Sequence, residues 1–198
     1  MSHKIKIIEK QTVYNGFFQL LRYRLQHTLF QGGWSGILNR EVLHNRHAAA
    51  VLLYDPQREE VVLIEQFRAG ALNDENAWLI EIVAGLLEEG ETPEELVKRE
   101  ALEEAGCTIL DLVPIHTIYA SPGGMSEKIS LFCGRVDTTD VGGFHGVSEE
   151  DEDIKVHVFG VEQAFDMLHQ GQILVSHSVI ALQWLMLNRE KLKSQYNW

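Results

Sequence analysis

Hydrophobic residues follow two different rhythms along this chain. Up to about residue 45, β-branched and aromatic residues are interleaved with charged ones. HKIKIIEKQTV, FFQLLRYRLQHTLF and REVLHNR read as strands, with Asn15-Gly16 as a hairpin signal and Gly32-Gly33 as a second break. From His47 the texture changes to apolar runs: AAAVLLY, then VVLIEQF after the Asp55-Pro56 turn, then WLIEIVAG. These are central-strand candidates. LVPIHTIYA, KISLFCGRV and IKVHVFGV add three more, and helical patterns follow over 162–169 and from about 179 to 193. Strands and helices interleaved in this way predict an α/β sandwich with a mixed sheet over 46–198. Residues 1–45 form a small N-terminal β-subdomain outside that core.

Between WLIEIVAG and LVPIHTIYA lies a stretch of another kind. From Ala84 it reads AGLLEEGETPEELVKREALEEAGC, with eight glutamates. Its helix is marked at both ends. Thr92-Pro93-Glu94-Glu95 is a capping box with proline at the first helical position, and Gly106 tolerates the left-handed conformation that closes a helix. At 3.6 residues per turn, Val97, Ala101 and Ala105 form an apolar stripe flanked by Leu96 and Leu102. Glu100 and Glu104 fall beside that stripe, one turn apart. Two such carboxylates repel and are poorly solvated, so one stays protonated or both share a cation. All-oxygen ligands favour Mg²⁺ or Mn²⁺ over zinc.

Composition narrows the setting. A chain of 198 residues with a net charge of −12 lacks the basic patch that a nucleic-acid or anionic-membrane partner requires. Any anionic substrate must then be met by metal ions and a few placed arginines. Cys107 and Cys133 are the only cysteines, which suits a reducing cytoplasm. No apolar run reaches the roughly 18 residues of a membrane span. The nine histidines form no defensible ligand set, since His44 and His47 fall on opposite faces of a strand.

Gly85, Glu91, Arg99-Glu100, Glu103-Glu104 and Gly106 satisfy every fixed position of G-x5-E-x7-R-E-U-x-E-E-x-G-U, where Ala101 and Cys107 fill the apolar U positions. This resembles the Nudix box. Downstream, Ser121-Pro122-Gly123-Gly124-Met125-Ser126-Glu127 is similar to the marker of the ADP-ribose pyrophosphatase branch of that family, although a Pro-Gly-Gly sequence alone is an ordinary turn.

The resemblance implies a Nudix-type α/β/α sandwich and Mg²⁺-dependent hydrolysis of ADP-ribose to AMP and ribose 5-phosphate. It implies metal ligation by Glu100, Glu104, Glu152 and the Ala84 carbonyl, with Glu103 completing the shell and Arg99 pairing with Glu91. In the acidic run Glu149–Asp153, otherwise a solvated loop, it gives Glu150 the role of base toward the attacking water. Arg68 would contact the diphosphate, Phe17 would stack on adenine, and Arg40 would supply a second phosphate or ribose contact. Ser121, Gly123 and Glu127 would receive the ribose phosphate. The resemblance also implies a domain-swapped homodimer. A GDP-mannose pyrophosphatase shares the same motifs, and a catalytically silent ADP-ribose sensor is the alternative of another class.

Overall fold

A computed structural model describes residues 3–147, 151–196 and 198. The chain forms two compact units, one of residues 1–47 with 119–128, the other of 48–118 with 129–198.

The first unit is an antiparallel meander of β1 (Ile5–Asn15), β2 (Gln19–His27) and β3 (Leu38–His44), in that order. Asn15 pairs with Gln19 across the Asn15-Gly16 turn, as the hairpin signal predicts. Segment 119–128 joins this unit through β3. Leu43 N–H donates to Gly124 O at 2.8 Å and Ser126 N–H to Leu43 O at 3.1 Å. His44 Nδ1 also meets Ser126 Oγ at 2.7 Å, and His47 Nδ1 accepts from Lys128 N–H at 3.2 Å, so both histidines have structural partners.

The second unit is built on β4 (Ala48–Asp55), every residue of which is buried. A strand reaches that state only when both faces are covered. β5 (Glu60–Phe67), β6 (Trp78–Glu81), β7 (Val83–Leu86), β8 (Asp111–Tyr119), β9 (Lys128–Arg135), β10 (Gly143–His145) and β11 (Ile154–Gly160) complete an eight-stranded mixed sheet of order β10-β11-β5-β4-β9-β8. β4 runs parallel to β9 and antiparallel to β5 and β7. Helix α1 (Pro93–Ala105) packs on one layer of core residues that includes Ala49, Val51, Val62, Ile64 and Val83. Helices α2 (Val161–His169) and α3 (Ser176–Gln195) pack on the sheet and on each other. The expected α/β sandwich is therefore present.

An irregularity in the sheet sets where α1 can dock. β4 and β5 pair only near their connecting turn, from Leu53↔Val62 to Asp55↔Glu60, and then diverge. Residues 78–86 fill the gap. β6 pairs with β5, the chain breaks register at Ile82, and β7 pairs with β4. Ile82 N–H, which loses a ladder partner at the break, donates instead to the buried Ser178 Oγ at 3.0 Å. Ala84 and Gly85 consequently lie opposite Ala50 and Ala49. Small side chains in both strands leave room for α1 to approach.

α1 is held by packing and located by its caps. Leu96, Val97, Ala101 and Ala105 are at most 1% exposed. Burial of a Leu or Val side chain is worth about 1.5–3 kcal/mol, whereas a cap contributes about 1 kcal/mol. Both halves of the capping box form, with Glu95 N–H donating to Thr92 Oγ1 and Thr92 N–H to Glu95 Oε2, and Gly106 closes the helix at φ 63°. Leu102, expected to flank the apolar stripe, is 58% exposed. It points away from the sheet, and Glu104 takes up buried space instead. α3 begins three residues before its expected start, and β10 was not anticipated because its Gly-Phe-His carries no alternation.

Candidate active site

The glutamate-rich helix meets the sheet at β7. Glu104 is only 3% exposed, and its Oε2 accepts a hydrogen bond from Ala84 N–H at 3.2 Å. Glu100 lies one turn earlier, against Gly85, where a Cβ would collide with its carboxylate. Glycine is needed at 85 for this approach and not for its backbone angles. Burial pushes the Glu100 carboxyl up to about 7, with the nearby Glu103 adding to the rise and Arg99 opposing it. The Glu104 carboxyl is raised well above the usual range, first by burial and then by the charge of Glu100.

Arg99 binds the loop to the helix. Its Nε donates to Glu91 Oε1 at 3.0 Å and its Nη2 to Glu91 Oε2 at 3.3 Å, a two-point fork. Its Nη1 also meets Glu100 Oε1 and Glu103 Oε2, each at 2.9 Å. One guanidinium thus serves three carboxylates. Hydrogen bonds from Arg99 and from Glu88 N–H hold the Glu91 carboxyl below its ordinary range. With Lys98 and Arg99 set against five glutamates, the helix remains net negative.

Arg68 follows β5, and its Nε donates to Glu81 Oε1 at 2.6 Å. It is near enough to Glu104 for its charge to oppose the rise of that carboxyl. Glu152 is close enough to raise both Glu100 and Glu104, yet its Oε2 accepts from Val147 N–H at 3.3 Å. Among the described residues, no three His, Cys, Asp or Glu side chains are gathered closely enough to hold a metal ion. Glu100 and Glu104 are brought close enough for the charge of one to act on the other, and Glu152 acts on both while its carboxylate is engaged with Val147 N–H. Glu150 lies outside the described residues.

The remaining candidates belong to the first unit. Phe17, at the tip of the β1–β2 hairpin, is 76% exposed and packs edge-on to Phe18 at 4.8 Å, so it is not a core residue. Arg40 is an exposed residue of β3 whose Nη1 donates to the Asn39 carbonyl at 2.8 Å. In the 121–127 loop, Ser121 O accepts from Gly124 N–H at 3.1 Å and from Met125 N–H at 2.8 Å, while Gly123 has open space where a Cβ would be. Burial raises the Glu127 carboxyl, and a hydrogen bond from Asn45 opposes this.

Sequence reasoning missed Glu81 and His177. A lone acid within the apolar run WLIEIVAG was the available signal for Glu81; His177 gave none.

Residues 44–179, most of the chain, match the sequence profile of the NUDIX domain. The chain belongs to the Nudix family. It is 47% identical over 193 residues to an ADP-ribose pyrophosphatase of Escherichia coli strain K12, a match covering 97% of this chain and 92% of that protein. It is 34% identical to a GDP-mannose pyrophosphatase of Enterobacter sp. strain 638, covering 95% and 98%. A solved structure described as an ADP compounds hydrolase superposes with a TM-score of 0.71 at 21% identity, covering 97% of this chain and 96% of that one, and supports the fold.

The raised Glu100 carboxyl makes this Nudix domain sensitive to pH. Between its ordinary value of 4.5 and about 7, the folded protein holds a proton that the unfolded chain releases. The contribution of Glu100 to metal-free stability therefore falls as pH rises through that window, Glu104 extends the trend upward, and the depressed His177 imidazole acts in the opposite sense below its ordinary value of 6.5. In chelator, the melting temperature of wild type measured relative to Glu100→Gln should therefore drop between about pH 5 and 8, and added Mg²⁺ should recover most of the loss at the high end. A metal-free difference between the two proteins that is flat or rising over this range contradicts the assignment.

Proposed function

We propose that this chain is a divalent-cation-dependent ADP-ribose diphosphatase that releases AMP and ribose 5-phosphate. The observation that carries the reading is the pairing of half-buried Glu100 with buried Glu104 at Ala84, set within a complete Nudix box and short of positive charge. The match to the ADP-ribose pyrophosphatase of E. coli along nearly the full chain supports the substrate.

Two desolvated carboxylates that resist ionisation fit a hard cation, Mg²⁺ or Mn²⁺, which supplies the charge they lack. Glu100 and Glu104 would hold it, with the Ala84 carbonyl and Glu152 as further ligands. When bound, it would neutralise the diphosphate oxygens and increase the acidity of water. Hydrolysis then requires one water oxygen to bond to phosphorus while the bridging P–O bond breaks towards the departing phosphate. Glu150 would take the proton. Arg99 would keep Glu103 and the Glu91 loop fixed to the helix, and the Arg68 Nη groups would meet diphosphate oxygens. Phe17 would stack on adenine, Arg40 would add a phosphate or ribose contact, and the open loop at Ser121 and Gly123, with Glu127, would admit the ribose phosphate.

We also infer a homodimer. β1 is an edge strand exposed along its whole length, and Ile5, Ile7 and Tyr14 are at least 59% exposed. Such an edge favours pairing with a second copy, and residues 1–45 would serve as the dimerisation and substrate-contacting domain. Light scattering should give twice the chain mass of 22.5 kDa, whereas a mass of one chain would contradict the inference. Buried, unbridged Cys107 and Cys133 support a cytoplasmic setting.

Chromatography of products from ADP-ribose and GDP-mannose with Mg²⁺ tests the activity. Preferential AMP release is expected, and Glu104→Gln should lower turnover by about 10²-fold or more while the fold is retained. Dominant GMP release would move the protein to the sugar-nucleotide branch, and binding of ADP-ribose without cleavage would make it a sensor. Near-normal turnover in the Gln variant would remove the metal-ligand role.

A further inference from the structure

Arg68 is held by groups that take no direct part in the proposed hydrolysis. Glu81 ends β6, one residue before the register break, and pairs with Ile64 in the layer facing α1. It is 1% exposed. Gln66 lies beside its carboxylate, and His177 Nε2, also buried, lies 4.0 Å from its Oε2. The pair that Glu81 forms with Arg68 is lopsided, because the acid is dry while the arginine side chain is 41% exposed.

A surface arginine does not need a buried partner. Burying a carboxylate is costly, and replacing a whole buried ion pair by apolar residues is often neutral or stabilising. Stability therefore does not account for Glu81. What the acid does provide is geometry. Arg68 is fixed at its backbone, where its N–H donates to Ala77 O at 2.8 Å, and again at Nε by Glu81. Only Nε is engaged among the described residues, which leaves both Nη groups, the edge that matches phosphate oxygens, available to an anion. Burial, with the charge of Arg68, holds the His177 imidazole down to about 4. A neutral histidine does not compete with Arg68 for the carboxylate.

We propose that Glu81 is a positioning residue for substrate binding, locking the Arg68 guanidinium with its Nη edge toward the diphosphate. The proposal rests on the reading that Arg68 contacts substrate. His177 and Gln66 lie against the carboxylate, which is left 1% exposed.

A double-mutant cycle tests it, with KM and kcat for ADP-ribose and the melting temperature measured for wild type, Arg68→Ala, Glu81→Gln and the double variant. Arg68→Ala should raise KM about tenfold or more, and Glu81→Gln about fivefold, with kcat changed less than about threefold. The melting temperature of Glu81→Gln should equal or exceed that of wild type, since the dry charge is removed and the arginine left behind is exposed enough to be hydrated. In the Arg68→Ala background, Glu81→Gln should change KM by less than about twofold. Full additivity, or an unchanged KM in Glu81→Gln beside a raised one in Arg68→Ala, would overturn the positioning role. An unchanged KM in Arg68→Ala would instead refute the substrate role of Arg68 and remove the proposal's basis. Should Glu81→Gln fail to fold, Glu81→Asp keeps the charge with a shorter reach, and its rise in KM should likewise vanish without Arg68.

Discussion

Two carboxylates that cannot both be comfortable in this fold organise the second unit. Glu100 and Glu104 are a turn apart on α1 and are pressed against Ala84 and Gly85, where water is largely excluded. Keeping them there requires a helix of defined length and position. The capping box at Thr92 and the left-handed Gly106 set its ends, and Leu96, Val97 and Ala101 press it onto the sheet. It also requires a sheet that can receive the helix closely. The divergence of β4 and β5 supplies this by letting residues 78–86 change partner at Ile82, bringing Ala84 and Gly85 opposite two alanines.

In a chain of net charge −12, two arginines act on this pair, Arg99 on Glu100 and Arg68 on Glu104. Arg99 connects Glu91, Glu100 and Glu103, so the loop before the helix moves with it. Arg68 is backed by Glu81. Neither removes the strain between Glu100 and Glu104, both of which still hold protons more tightly than ordinary carboxylates. A fold that leaves such a deficit in place is prepared for a cation that arrives with or before its anionic substrate. In the proposed mechanism the arginines divide the work: Arg99 fixes the acidic framework, and Arg68 would face the anion.

Much of this was legible in the sequence because the signals were local. Thr92-x-x-Glu95, Pro93 and Gly106 each act within one helical turn, and the spacing of Glu100 and Glu104 needs only the helical period. The central strands were visible as apolar runs, and Asn15-Gly16 marked its hairpin. What escaped depended on distant partners. Leu102 has the residue type of a core position, but whether it packs depends on how α1 is rotated over β4. The Ile82 N–H freed at the break is satisfied by Ser178, nearly a hundred residues away. The pairing of Glu81 with Arg68 likewise depends on strand register across β5 and β6. Capture of 119–128 by β3 is a long-range backbone pairing that no local pattern announces.

The central claim is that α1 and β7 together form a cation site whose indispensable ligand is Glu104. Direct titration with Mn²⁺, followed by electron paramagnetic resonance of the free ion, tests it without reference to any substrate. Saturable binding by the wild type, lost or greatly weakened in a Glu104→Gln protein that keeps its circular dichroism spectrum, is the result the account predicts. Equal Mn²⁺ uptake by the two proteins would contradict it.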